Sequence, residues 1–73
     1  MIELPPFATE RDFERCKEIV KKIFMNKKIS CDNEDFVNEK TIELMNVIYG
    51  TGGGYNDEMY EQYGKAYFSK KSI

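Results

Sequence analysis

The chain offers few of the side chains on which enzymes usually depend. It contains two cysteines, Cys16 and Cys31, and no histidine and no tryptophan. Histidine is the most common metal ligand and general base near neutral pH. Without it neither cysteine has an imidazole to activate it, and two scattered cysteines cannot supply the ligands of a zinc site. We therefore predict a protein with no enzymatic activity, no bound metal and no cofactor.

A candidate phosphate-binding site is the glycine-rich segment Gly50-Thr51-Gly52-Gly53-Gly54. Such loops can hold phosphate at the start of a helix. However, the Gly-Lys-Ser/Thr of a P-loop is missing, and a predicted helix rather than a strand comes before the segment. Asp57 and Glu58 would also repel an anion there. We interpret the segment as a flexible connection between helices, with a partner-binding loop as the alternative.

Apolar residues at helical spacing predict a first helix over residues 10–26. Thr9 precedes Glu10 and Asp12 and is therefore the expected N-cap. Pro5-Pro6 predicts an extended N-terminal arm before the helix. The apolar face of this helix consists of Phe13, Cys16, Val20, Ile23 and Phe24.

A second helix is predicted over residues 34–49, with Asp32 or Asn33 as its N-cap and Gly50 as a left-handed cap at its end. It carries two apolar stripes, which are Val37, Thr41, Leu44 and Ile48, and Ile42, Met45 and Tyr49.

A third helix is predicted over residues 57–68, capped by Asn56 and interrupted by Gly64. Its expected apolar face is Met59, Tyr60, Tyr63, Ala66 and Tyr67. Three amphipathic helices joined by short connections predict one all-α domain over residues 1–73, a compact three-helix bundle.

Charge and tyrosine are unevenly distributed along the chain. The net charge is -2, yet residues 31–63 hold eight acidic residues against the single Lys40. All five tyrosines lie within the last 25 residues, and tyrosine is enriched at binding hot spots. We therefore predict an interaction module that binds a larger protein with a basic surface. The expected contact residues are Glu39, Ile42, Glu43, Met45, Tyr49, Tyr55, Asp57 and Glu58.

The amino-acid usage bears on the kind of partner. Alanine and leucine are rare, whereas lysine, isoleucine, asparagine, glutamate and tyrosine are plentiful, which is typical of an AT-rich genome such as that of a phage or mobile element. On that basis the expected function is inhibition or redirection of a host protein. With no secretory signal pattern and no apolar run long enough to span a bilayer, we expect a cytoplasmic protein.

Two alternatives remain open. Arg11, Arg15 and Lys22 line one side of the first helix and could contact phosphates of a nucleic acid. Against this, glutamates are interleaved with them and the sequence pI is about 5.1. The other alternative is a structural homo-oligomer that buries its spare apolar surface against copies of itself.

Overall fold

Three helices form the described part of the chain: α1 (Glu10–Asn26), α2 (Glu34–Gly50) and α3 (Asp57–Lys70). The structure is a computed structural model that describes residues 3–52 and 54–70. Each helix packs against the other two, and residues 3–52 and 54–70 contain no strand. The predicted all-α three-helix bundle is confirmed.

The helices begin where their capping residues predict. Thr9 forms a capping box with Asp12, whose backbone N–H donates to Thr9 Oγ1 at 3.2 Å, while the Thr9 N–H donates to Asp12 Oδ2 at 3.0 Å. The side-chain oxygens of Asn33 and Asn56 each accept the backbone N–H three residues later, at 3.1 and 2.9 Å. These bonds satisfy N–H groups that have no partner within the helix.

The end of α2 differs from the prediction. Gly50 is the last helical residue rather than a left-handed cap, and Thr51 still has helical backbone angles (φ -90°, ψ 0°). Its N–H donates to the carbonyls of Val47 and Ile48, both at 3.2 Å, which extends the last turn by one residue. The left-handed residue is therefore Gly52, with φ 79°. Gly53 lies outside the described residues.

The cores of α1 and α2 follow the predicted faces. All five predicted apolar residues of α1 are buried, and so is the whole first stripe of α2. Thr41, the polar member of that stripe, donates its hydroxyl to the Val37 carbonyl at 2.8 Å, so its burial leaves no unpaired hydroxyl.

The buried face of α3 is rotated from the predicted one. Tyr60, Gly64 and Phe68 are buried, whereas Ala66 is exposed. The helix continues through Gly64 without interruption. Gly64 instead permits close packing. A Cβ there would lie 2.7 Å from Ile23 Cδ1 and 3.2 Å from Leu44 Cδ2. The absence of a side chain lets α3 approach both other helices at this point.

Candidate protein-binding surface

Three aromatic residues meet at the end of the bundle where α1 and α3 begin. The Phe7 side chain is 87% exposed and Tyr49 is 41% exposed, and their ring centroids lie 6.4 Å apart. The half-buried Tyr55 donates its hydroxyl to the Pro6 carbonyl at 3.3 Å. We call Phe7, Tyr49 and Tyr55 the aromatic face.

A turn in the N-terminal arm holds Phe7 in the open. The Ala8 N–H donates to the Pro5 carbonyl at 3.1 Å, and Phe7, the third residue of this turn, has φ 68°. Pro5-Pro6 predicts an extended arm, but the arm contains this turn. Glycine is the usual residue at a turn position with positive φ, and a bulky aromatic residue there is uncommon. Pro5 is buried and Leu4 packs against the core, so the turn is anchored.

Acidic side chains lie beside the aromatic face. The pKa of Tyr55 is raised by its burial, and also by nearby Tyr49 and by the carboxylate of Asp12. Asp57 and Glu58 are exposed in the first turn of α3, two and three residues after Tyr55. Both helix starts thus place negative charge around the aromatic rings, which favours a partner that carries positive charge.

Asp57 is partly neutralised by an ion pair with Arg15 that joins α3 to α1. Arg15 Nε donates to Asp57 Oδ1 at 2.8 Å, and Nη2 donates to Oδ2. The hydrogen bond from Arg15 holds the pKa of Asp57 below its ordinary value of 3.8. Of the three cations named in the nucleic-acid alternative, Arg15 is thus paired with a carboxylate, whereas Arg11 and Lys22 are exposed.

Four of the eight predicted contact residues lie at this surface and four do not. Tyr49, Tyr55, Asp57 and Glu58 lie at the same end of the bundle. Met45 is fully buried, so its place in the predicted contact set is wrong. It follows Thr41 by four residues and precedes Ile48 by three, which puts it on the same helix face as the buried stripe.

The remaining predicted residues are spread along α2. Glu43 faces α3 and accepts a hydrogen bond from the Tyr67 hydroxyl at 2.9 Å. It also accepts one from Lys40 Nζ of its own helix at 3.0 Å. Glu39 is exposed but ten residues before Tyr49, about 15 Å along the helix. Ile42 is half-buried against the core. These three residues do not join the aromatic face.

Phe7 is the surface residue that the sequence pattern did not reveal. It lies outside every helix, so helical periodicity says nothing about its exposure. The one available signal was Pro6 before it, because proline at the second position of a turn is common. Nothing in the sequence indicates that phenylalanine adopts positive φ there.

The cysteines show no catalytic arrangement within the described ranges. Both thiols are free. Cys16 is fully buried, and burial raises the pKa of its thiol to about 12, so it stays protonated as its place on the apolar face predicts. Cys31 is partly exposed, with its Sγ 3.9 Å from the Lys21 carbonyl.

Metal sites and membrane-spanning helices were also sought in the part of the chain that the structure describes. Residues 3–52 and 54–70 contain no group of three potential metal ligands. Across the same ranges, none of the helices has the length and apolar character needed to cross a membrane. Comparisons with protein-family models, curated proteins and solved structures found no match for this chain.

Proposed function

We propose that this protein is a small non-enzymatic binding module that engages a larger protein through the aromatic face. The observation that carries the proposal is the Phe7 side chain, which is 87% exposed on a turn with positive φ. A large ring in solvent contributes little to folding, and a left-handed backbone costs free energy. A bound partner would bury the ring and offset that cost.

The side chains of the aromatic face indicate what kind of surface the partner presents. Phe7 fits an apolar pocket, while Tyr49 and Tyr55 supply rigid area with polar tips, as hot-spot residues do. The acidic side chains around them favour a basic rim on the partner. The face therefore suits a larger protein with a hydrophobic pocket bordered by lysine or arginine.

The module acts in the cytoplasm of a host cell, on a host protein. The amino-acid usage supports a phage- or mobile-element-type inhibitor or modulator of a host protein. Two free cysteines fit the reducing cytoplasm. Occupying a basic surface on the host protein would block what normally binds there.

Affinity capture from the host cytoplasm with matched variants tests this proposal. Wild type and Asn46→Ala should capture the same protein, because Asn46 is exposed on α2 and lies outside the aromatic face. Phe7→Ala and Tyr49→Ala should lose that protein while retaining helicity by circular dichroism. Undiminished capture by folded Phe7→Ala would contradict the proposal.

A further inference from the structure

A second exposed apolar residue lies at the other end of α1. Met25 is 70% exposed. Lys21 and Lys22 precede it by four and three residues and therefore flank it on the helix surface. Lys28 follows and donates its backbone N–H to the Met25 carbonyl at 3.0 Å. We call Lys21, Lys22, Met25 and Lys28 the Met25 patch.

Lys21 and Lys22 lie close enough to Glu34 and Asp57 to lower the pKa of those carboxyl groups, but the lysines of the patch are not held in ion pairs. All three lysines are exposed, and none of them forms an ion pair with a residue in the described ranges. By contrast, Lys17 is paired with Glu34 at 3.0 Å and Lys65 with Glu61 at 3.0 Å.

Met25 and the aromatic face lie at opposite ends of α1, and the charges beside them have opposite signs. The 17 residues of α1 separate them, a length of about 25 Å. One end displays aromatic rings beside Asp12, Asp57 and Glu58, and the other displays a thioether among lysines. In residues 3–52 and 54–70, Phe7, Met25 and Tyr49 are the large apolar side chains that remain exposed.

We propose that the Met25 patch of one copy docks on the aromatic face of a second copy, giving a head-to-tail assembly. A methionine sulfur makes favourable contacts with aromatic rings, and lysines of one copy would face acids of the next. Because the two contacting surfaces differ, each copy keeps one free end and the chain of copies can grow.

This inference rests on the proposed function, since it uses the same aromatic face. Self-association would cover Phe7 until a larger protein competes for it. The interface is small and partly electrostatic, so we expect weak association that salt weakens further.

Sedimentation of the purified protein alone provides the test, using Phe7→Glu, Met25→Glu and their equimolar mixture. Wild type should sediment with an average mass that rises with concentration beyond twice its 8.6 kDa. Each variant alone should stay monomeric. The mixture should form dimers and stop there, because Phe7→Glu retains an intact Met25 patch and Met25→Glu retains an intact aromatic face.

Two results would overturn the inference. One is a wild type that stays monomeric up to millimolar concentration. The other is a mixture that remains monomeric while wild type associates, which would place the contact elsewhere. Both variants change exposed side chains, and circular dichroism checks that they fold. No larger protein is present, so either failure leaves the capture experiment untouched, and a failed capture leaves head-to-tail association intact.

Discussion

Two non-glycine residues in the described ranges have positive φ, Phe7 at 68° and Lys28 at 61°. The Lys28 conformation has a local reason. It ends α1 in a Schellman motif, in which the Ile29 N–H donates to the Phe24 carbonyl at 2.8 Å and Ile29 packs against the core. The turn at Phe7 is closed by the hydrogen bond from Ala8 to Pro5, but the Phe7 ring itself lies largely in solvent. We therefore expect partner binding, which would bury the ring, to matter more at Phe7 than at Lys28.

Substitutions at Phe7 separate the ring from its backbone conformation. Phe7→Ala keeps the strained turn and should change the free energy of unfolding by no more than about 0.5 kcal/mol, as for other surface side chains. Phe7→Gly should be about 1 kcal/mol more stable than Phe7→Ala, because glycine tolerates positive φ. Urea denaturation measures both. A loss of about 2 kcal/mol or more in Phe7→Ala would show that the ring supports the fold instead.

Two tyrosines near the core should respond oppositely to loss of their hydroxyls. The Tyr60 hydroxyl is buried with no hydrogen-bond partner in the described ranges, and burial raises its pKa. Tyr60→Phe should therefore raise the free energy of unfolding by about 1 kcal/mol. Tyr67→Phe removes the hydrogen bond to Glu43 and should lower it by about 1 kcal/mol. Thermal denaturation of the two variants checks the signs, and destabilisation by both would contradict the packing described for Tyr60.

At the scale of the helices, local sequence signals were sufficient for most of the fold. Thr9, Asn33 and Asn56 cap the three helices, and the apolar period of α1 matches its buried face. The buried face of α3 was not predictable in the same way. A helical wheel gives no weight to glycine, yet Gly64 lies at the centre of that face because the neighbouring helices leave no room for a Cβ.

Gly64 and Ile23 should show energetic coupling. In wild type, Gly64→Ala gains about 1 kcal/mol in helix propensity but places its Cβ against Ile23 Cδ1. Ile23→Val removes that methyl group, at a cost of about 0.5–1.5 kcal/mol on its own. Gly64→Ala should therefore change the free energy of unfolding more favourably in the Ile23→Val background than in wild type, by about 1 kcal/mol. A double-mutant cycle measured by urea denaturation tests this. Additivity within about 0.3 kcal/mol would argue against the close contact.

At the scale of the whole molecule, ion pairs join α1 to each of the other helices. Arg15 pairs with Asp57 of α3, and Lys17 pairs with Glu34 of α2. These contacts hold the pKa values of Asp57 and Glu34 below their ordinary values of 3.8 and 4.5. A carboxyl group with a lowered pKa stabilises the folded state above its ordinary pKa and loses that contribution as the pH falls below it.

Acid should therefore weaken the bundle, and Asp57→Asn should weaken the pH dependence. We expect the free energy of unfolding of wild type to fall as the pH drops from about 5 to about 3, and to fall less steeply in Asp57→Asn. Both carboxylates are exposed to solvent, so the effect should also shrink in high salt. Thermal denaturation across this pH range measures it, and identical slopes in the two proteins would contradict a stabilising Arg15–Asp57 pair.

The candidate site was only partly predictable because it is assembled from distant segments. Tyr49 and Tyr55 follow from composition and spacing, since both flank the connection between α2 and α3. Met45 was misplaced because two apolar stripes on one helix do not reveal which of their members the other helices cover. Phe7 joins the site through a turn whose backbone angles depend on the anchoring of Pro5 and Leu4 against the assembled core.

The affinity of the captured partner for Phe7→Ala is the most direct measurement of the proposed function. A ring inserted in a partner pocket typically contributes 2 kcal/mol or more, which is about a thirtyfold change in Kd. We predict at least that loss for Phe7→Ala in a binding titration, with Asn46→Ala unchanged and both proteins equally stable. A Kd for Phe7→Ala within about twofold of wild type would contradict the proposal that Phe7 anchors a larger protein.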